Sequence, residues 1–92
     1  MIKYTPQFLK KLEEIFSENG YVVRYEKGNF RSGYCVLEDR KIIVVNKFSS
    51  LESRIGNLIE ILRNLSAAQE FTGAGFEQLR PQLAKDSKTE EV

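Results

Sequence analysis

The residue types that most enzymes use for acid–base and metal chemistry are scarce in this chain. Histidine is absent from the 92 residues, and Cys35 is the single cysteine. Without histidine, no Ser-His-Asp triad, Cys-His pair or His-Glu-x-x-His zinc motif can be formed. One cysteine also excludes an internal disulfide and a multi-cysteine metal site. We therefore predict that the protein is not an enzyme, and expect no catalytic residues, metal ligands or cofactor.

The remaining candidates for chemistry are adjacent carboxylates and the cysteine itself. Acidic pairs occur at three places, Glu13-Glu14, Glu38-Asp39 and Glu90-Glu91. Their positions on a helix face, in a turn and in the C-terminal tail indicate solvated surface residues. Cys35 lies within a predicted strand with no fixed base beside it. A buried, unreactive thiol is therefore the favoured interpretation, with a nucleophile as the alternative.

Cations and aromatic side chains coincide with the predicted strands. The cations of this region are Arg24, Lys27, Arg31, Arg40, Lys41 and Lys47, and the aromatic residues between them are Tyr21, Tyr25, Phe30 and Tyr34. Such a mixture can bind single-stranded nucleic acid by stacking and charge neutralisation. However, strands favour aromatic residues, cations keep strand edges soluble, and the whole chain has a net charge of only +1. We therefore favour a surface without nucleic acid and keep weak nucleic-acid binding as an alternative.

Hydrophobic periodicity predicts the elements that hold these residues. A helix is expected over 6–18, because Thr5-Pro6 can begin it and Asn19-Gly20 can end it. Strands are expected over 21–26, 33–38 and 41–46. Asp39-Arg40 between the last two predicts a two-residue hairpin turn, with residues 38 and 41 opposite each other. The three strands are expected to form an antiparallel meander.

A second helix is predicted to begin at Ser49-Ser50, with Ser49 and Glu52 spaced as a capping box. Residues 76–83 predict a short helix that Pro81 interrupts, and residues 86–92 are expected to be disordered. The fold class is thus α+β: helix, three-stranded antiparallel meander, helix and a loosely attached C-terminal helical segment. We expect a domain over 1–70 and a partly disordered segment over 71–92. No signal peptide or membrane span is visible, so we expect a cytoplasmic protein.

The predicted hairpin is apolar on both faces. One face holds Cys35, Leu37, Ile42 and Val44, and the other holds Tyr34, Val36, Ile43 and Val45. A sheet with one solvated face would alternate apolar and polar residues. Two helices can cover one face, so the other needs either the C-terminal segment, through Phe71, Phe76 and Leu79, or a second copy of the chain. The residues that we expect at this interaction surface are Tyr34, Val36, Ile43, Val45, Phe71 and Phe76.

Part of the chain also resembles a known family. The stretches Arg-Ser-Gly-Tyr-Cys-Val (31–36) and Lys-Ile-Ile-Val-Val-Asn (41–46), followed by a helix with Arg54 near its start, resemble the ImmA/IrrE-type zinc metallopeptidases over residues 21–63. Those bacterial cytoplasmic enzymes carry His-Glu-x-x-His on that helix and cut phage or stress regulators. In this chain Glu60 matches the general base, but Ile59 and Arg63 replace the histidines. The resemblance implies a fragment of that fold without zinc or activity.

The chain is also similar to small bacterial proteins of the same organisation, from which no function carries over. The favoured hypothesis is a non-catalytic protein–protein interaction module, homodimeric or bound to another protein, without membrane contact. Weak binding of single-stranded nucleic acid and an inactive peptidase-like fold are the alternatives. A free monomer whose own tail covers Tyr34, Val36, Ile43 and Val45 would count against the interaction module.

Overall fold

The computed structural model describes residues 2–27 and 34–90, the last seven of them as helix backbone. Its elements, in chain order, are α1 (Pro6–Glu18), β1 (Val22–Glu26), β2 (Tyr34–Leu37), β3 (Ile42–Asn46), α2 (Leu51–Ala68) and α3 (Ala74–Glu90). The architecture is α+β, as the sequence predicts. Position 33, predicted as the start of the second strand, lies outside the described residues.

Helix α1 has the predicted bounds because its end signals act locally. The Thr5 hydroxyl accepts a hydrogen bond from the Phe8 amide (3.2 Å), and proline occupies the first turn. Asn19 caps the other end, and Gly20 follows with φ of +85°. A left-handed backbone costs glycine little, so the chain can turn sharply into β1.

The sheet is mixed, which corrects the predicted antiparallel meander. The strand order is β1-β3-β2, with β3 antiparallel to β2 but parallel to β1. Strand β3 is the most continuously apolar strand and occupies the centre, where both of its edges are bonded. Strand β1 carries Arg24 and Glu26, and charges of this kind suit an edge strand. Local patterns predict the strands, but the choice of neighbour depends on the whole chain.

The β2–β3 register is the predicted one, whereas the turn differs. Leu37 lies opposite Ile42 and Cys35 opposite Val44. The connection is a four-residue turn, in which the Lys41 amide donates to the Glu38 carbonyl oxygen (3.2 Å). Lys41 itself has φ of +55°. A two-residue hairpin turn needs glycine-like conformations at its centre, which Asp39-Arg40 does not favour, so the left-handed residue falls at the end of the turn.

Helix α2 begins one residue later than the predicted capping box implies. Ser50, rather than Ser49, is the N-cap, and its hydroxyl accepts a hydrogen bond from the Ser53 amide (3.2 Å). The Ser49 amide donates to the Asn46 carbonyl oxygen (3.0 Å) instead. Ser49 is therefore part of the turn that leaves β3.

Helix α3 corrects the prediction of a short, interrupted and loosely attached segment. It continues through Pro81 to Glu90, although proline removes one helical hydrogen bond. Leu79 and Leu83, on either side of that proline, are both buried, and their burial holds the helix together across it. Residues 86–90, for which the sequence predicts disorder, form the last part of this helix, and disorder there stays a prediction.

One core unites the described elements. The helices contribute buried side chains from α1, α2 and α3, and the sheet contributes Ile43 and Val45 at its centre. The four partly buried sheet residues that pack on this core are Val23, Tyr25, Tyr34 and Val36. Residues of the predicted 1–70 domain and of the predicted 71–92 segment therefore share the same core.

Candidate functional site: the outer sheet face and the β2 edge

Alternation along the strands divides the sheet into two faces. The inner face, which packs on the core, holds Val23, Tyr25, Tyr34, Val36, Ile43 and Val45. The outer face holds the side chains between them, Val22, Arg24, Glu26, Cys35, Leu37, Ile42, Val44 and Asn46. These two names are used below in this sense.

The outer face is apolar and uncovered within the described part of the chain. Val22 and Leu37 are 54% and 43% exposed, and Cys35, Ile42 and Val44 are partly exposed. None of these five belongs to the core cluster or packs against it, because the helices contact the inner face. Five adjacent apolar side chains on one open face form a patch of the kind that marks contact surfaces.

Charged residues border this patch along β1. Arg24 Nε lies 2.9 Å from Glu26 Oε2, and both side chains are about half exposed. An exposed ion pair of this kind contributes little to stability. It does place a cation and an anion side by side at the margin of an apolar surface.

Main-chain hydrogen bonds show which residues of the central strand, β3, bond to each of its two neighbours. The Val22 amide donates to the Lys41 carbonyl oxygen (2.9 Å), and the Lys47 amide donates to the Glu26 carbonyl oxygen (3.1 Å). In a parallel ladder, alternate residues of one strand bond to the same neighbour. The odd-numbered residues of β3 therefore bond to β1, and its even-numbered residues bond to β2.

The same alternation fixes the direction of main-chain groups in β2. Cys35 and Leu37 lie opposite Val44 and Ile42, so their main-chain groups point at β3. The N–H and C=O of Val36, between them, point away from β3. Among the described strands β2 pairs with β3 alone, so Val36 presents one donor and one acceptor at the outer edge of the sheet.

The residues predicted for the interaction surface lie on the core side instead. Ile43 and Val45 are fully buried, and Tyr34 and Val36 pack against the same core. Helices α1 and α2 both contact this face, because Tyr25 donates a hydrogen bond to Glu13 and Tyr34 donates one to Glu60. The four predicted residues therefore lie on the inner face, and the apolar side chains that the described structure leaves exposed lie on the opposite one.

The two predicted phenylalanines are also interior. Phe71 stacks on Tyr21 with ring centroids 6.0 Å apart and meets the edge of Phe16 at 6.2 Å. Phe76 follows at 5.7 Å from Phe71. Both are 5% exposed and form part of the lining of a groove of about 640 Å³ between α2 and α3. They pack in the same core as the helices and, through Tyr21, next to the start of β1.

Two tyrosines of the inner face connect the sheet to the helices. The Tyr25 hydroxyl donates to Glu13 of α1, while the Arg54 guanidinium of α2 lies 4.8 Å from the Tyr25 ring centroid. Burial, assisted by the hydrogen bond to Glu13, raises the pKa of Tyr25 well above its usual range. The tyrosine is therefore a neutral structural link between two helices.

Glu60, the residue in the general-base position of the resemblance, has a similar structural partner. The Tyr34 hydroxyl donates to Glu60 Oε2 (2.6 Å), and this hydrogen bond raises the pKa of Tyr34 to about 12. Ile59 is buried, and Arg63 Nε donates to the Leu83 carbonyl oxygen (3.2 Å). Within residues 2–27 and 34–83, no three His, Cys, Asp or Glu side chains converge to hold a metal ion.

The aromatic residues proposed for base stacking are dispersed by the fold. Tyr21 is buried, and Tyr25 and Tyr34 lie on the inner face with their hydroxyls bonded to carboxylates. The cation Arg24 lies on the outer face, beside Glu26. Phe30 and Arg31 lie outside the described residues. The described residues thus place aromatic rings and this cation on opposite faces of the sheet.

Comparison with known proteins yields no relative. No protein-family model matches the chain, and no curated protein or solved structure matches it either. Of the helices in the described part of the chain, none has the length and apolar character that crossing a membrane requires.

Proposed function

We propose that this chain is a non-catalytic protein–protein interaction module of the cytoplasm that acts as a homodimer. The observation that supports the proposal is the uncovered outer face. Within the described part of the chain, its apolar side chains, Val22, Cys35, Leu37, Ile42 and Val44, lie outside the core on which the helices pack. Burying such a patch against a partner contributes roughly 25 cal/mol for each Å² removed from water.

A second copy fits this surface chemically. The margin of the patch carries Arg24 beside Glu26, so a copy related by a two-fold axis can place each charge opposite its counterpart. The chain is also small, and a 92-residue domain gains proportionally more from additional buried surface than a large one. The proposed partner is therefore the outer face of a second copy of this chain.

The proposed role requires no reactive or catalytic group on the outer face. The thiol of Cys35 lies on the outer face, opposite Val44, with apolar neighbours. The carboxylates with defined partners, Glu13 and Glu60, accept hydrogen bonds from tyrosines on the inner side. The exposed surface thus offers shape and apolar area.

Solution mass tests this proposal directly. We expect the wild-type chain to sediment as a dimer and to dissociate on dilution. Leu37→Lys introduces a charge into the apolar patch and should shift the equilibrium to monomer, because a lysine cannot be desolvated there cheaply. The matched control is Tyr4→Lys, which adds the same charge to another exposed apolar residue and should leave the dimer intact.

A wild-type chain that stays monomeric up to its solubility limit contradicts the proposed homodimer. Circular dichroism and thermal melts of both variants establish that they are folded, so that a change in mass reports the interface.

A further inference from the structure

A second exposed surface lies at the end of the sheet where β1 and β3 terminate. Phe48, two residues past the end of β3, is 71% exposed, more than any other large apolar side chain of the described residues. Lys47 Nζ lies 5.3 Å from the centroid of its ring. The outer face is most exposed at the opposite end, where Val22 and Leu37 lie level with Ile42. A contact centred there leaves the surface around Phe48 accessible.

Hydrogen bonds of the turn restrain the backbone that presents Phe48. Its amide donates to Asn46 Oδ1 (3.0 Å), and the Ser49 amide donates to the Asn46 carbonyl oxygen (3.0 Å). Arg54 Nη2 donates to the Lys47 carbonyl oxygen (2.6 Å) and so joins the turn to α2. An aromatic ring on a restrained backbone loses little conformational entropy when a ligand covers it.

Three cations without carboxylate partners lie together at this turn. Lys47 and Arg54 are joined by the hydrogen bond just described, and Lys27 lies beside Lys47, because the Lys47 amide donates to the carbonyl oxygen of the preceding Glu26 (3.1 Å). None of the three forms an ion pair within the described residues, whereas Arg24 is paired with Glu26. Cations that are not neutralised, next to an exposed ring, suit a ligand that is both anionic and aromatic.

We propose that this surface, formed by Lys27, Lys47, Phe48 and Arg54, binds single-stranded nucleic acid. One base stacks on the Phe48 ring, and the neighbouring phosphates lie at Lys27 and Lys47. Every base has a π face, so this contact is tolerant of sequence. The inference goes beyond the proposed homodimer and does not depend on it.

The balance of charge sets the strength of this binding. Glu52 lies in the first turn of α2, and the whole chain has a net charge of only +1. Few phosphates are therefore neutralised, and binding is weak and confined to low salt. An anionic membrane would be attracted by the same lysines. Membrane binding increases with the apolar area that is inserted, which one ring supplies poorly, whereas a stacked base needs only one ring.

Fluorescence anisotropy with a labelled oligothymidine of about ten nucleotides measures the binding. Phe48→Leu keeps an exposed apolar side chain but removes the ring. We expect it to weaken binding about tenfold, as the loss of one stacked base does. Phe48→Tyr is the matched control, because it retains the ring, and it should bind as the wild type does.

The dependence on salt tests the phosphate contacts. Lys47→Gln should lower the slope of log affinity against log salt concentration by about 0.7, the value for one phosphate of a single strand. Lys41→Gln is its matched control. Lys41 directly precedes β3 and also lies over an aromatic ring, 5.9 Å from the centroid of Tyr21. The same charge is thus removed at the other end of the strand, and the slope should remain that of the wild type.

The outcomes separate this inference from the proposed function. No binding of the oligonucleotide at about 20 mM salt overturns the inference, while the homodimer is judged by sedimentation alone. Equal affinities of Phe48→Leu and Phe48→Tyr, both folded by circular dichroism, also overturn it. Vesicles containing phosphatidylserine form a third arm. If the chain binds these vesicles and not the oligonucleotide, the surface is a membrane contact and the inference is wrong.

Discussion

At the scale of single residues, the clearest constraint is the set of contacts around Tyr25. Its hydroxyl donates to Glu13, and its ring lies beneath the Arg54 guanidinium. A hydrogen bond to a charged acceptor contributes about 1.5–3 kcal/mol, more than one between neutral groups. A cation over an aromatic ring adds about 0.5–1 kcal/mol where it is exposed. One side chain of the sheet therefore holds α1 and α2 in a fixed relation.

Alkaline pH should reveal this arrangement. The hydrogen bond to Glu60 raises the pKa of Tyr34 from 10.0 to about 12, and burial raises that of Tyr25 still further. Above about pH 10 the unfolded tyrosines lose protons that the folded ones keep. The folded state then binds more protons, so the free energy of unfolding decreases as pH rises. Urea unfolding between about pH 8 and about pH 11 should show this decline.

Removing the hydroxyl of Tyr25 or of Tyr34 should make the free energy of unfolding decrease less steeply with pH. We expect Tyr25→Phe to lower stability by about 1–2 kcal/mol at neutral pH, since Glu13 loses its donor, and to be less sensitive to alkali than the wild type. Tyr34→Phe should act in the same direction with a smaller loss, because this pair is exposed. Tyr4→Phe, at an exposed position outside the core, serves as the control and should retain the wild-type slope.

At the scale of elements, the sequence predicted correctly those bounds and registers that depend on contacts between residues close together in the chain. Thr5, Pro6 and Asn19-Gly20 fix α1 within one turn of each end, and its predicted bounds are confirmed. The β2–β3 register follows from a short turn and is also confirmed. The parallel pairing of β1 was missed, because a strand's partner is chosen by the packing of the whole sheet.

The C-terminal helix shows the opposite case, in which burial overrides a local signal. Pro81 predicts an interruption, and a proline in a helix costs about 3 kcal/mol. Leu79 and Leu83 are buried on either side of it, and full burial of a leucine contributes about 1.5–3 kcal/mol. Two such residues offset the proline. That balance depends on contacts with distant elements and cannot be obtained from the segment itself.

The docking of α3 on α1 depends on a close approach at Gly75. A β-carbon placed there would lie 3.2 Å from Cγ1 of Ile15, which is buried in the core, whereas one at Gly56 of α2 would meet nothing within 4 Å. We expect Gly75→Leu to lower the free energy of unfolding by about 1–3 kcal/mol through overpacking.

Gly56→Leu is the matched control for this substitution. It makes the same glycine-to-leucine substitution at an open position of a helix. It should raise the free energy of unfolding by about 0.8 kcal/mol through helix propensity alone. Chemical denaturation of the two variants measures both values. Equal effects in the two helices would show that α3 does not pack closely on α1.

At the scale of the whole molecule, the sequence predicted the existence of a second apolar sheet face but assigned the faces in reverse. The hairpin residues alone are too similar on both sides to distinguish inside from outside. Strand β1 holds the distinguishing signal, since Arg24 and Glu26 alternate with Val23 and Tyr25. That signal becomes useful only when the register of β1 with β3 is known, and this register is a tertiary property.

The predicted boundary at residue 70 leads to a test of the shared core. Phe71, Phe76, Leu79 and Leu83 are each at most 6% exposed. At about 1.5–3 kcal/mol for each buried side chain, their loss is comparable to the whole stability of a small domain, about 5–15 kcal/mol. We expect a chain of residues 1–70 to lose its cooperative thermal transition.

A chain of residues 1–84 is the control, because it retains all four side chains. It should still unfold cooperatively in circular dichroism. If the 1–70 chain melts as sharply as the full chain, the C-terminal helix is an attachment and not part of the core.

The central position of β3 has a consequence for how the protein is made. Among the described strands, β1 pairs with residues 42–46 of β3, so while the ribosome is still adding β2, strand β1 has no described partner to join. The hairpin closes over a short loop and can form as soon as it emerges. Of the three described strands, the one that is synthesised first can therefore join the sheet only after the one that is synthesised last has emerged.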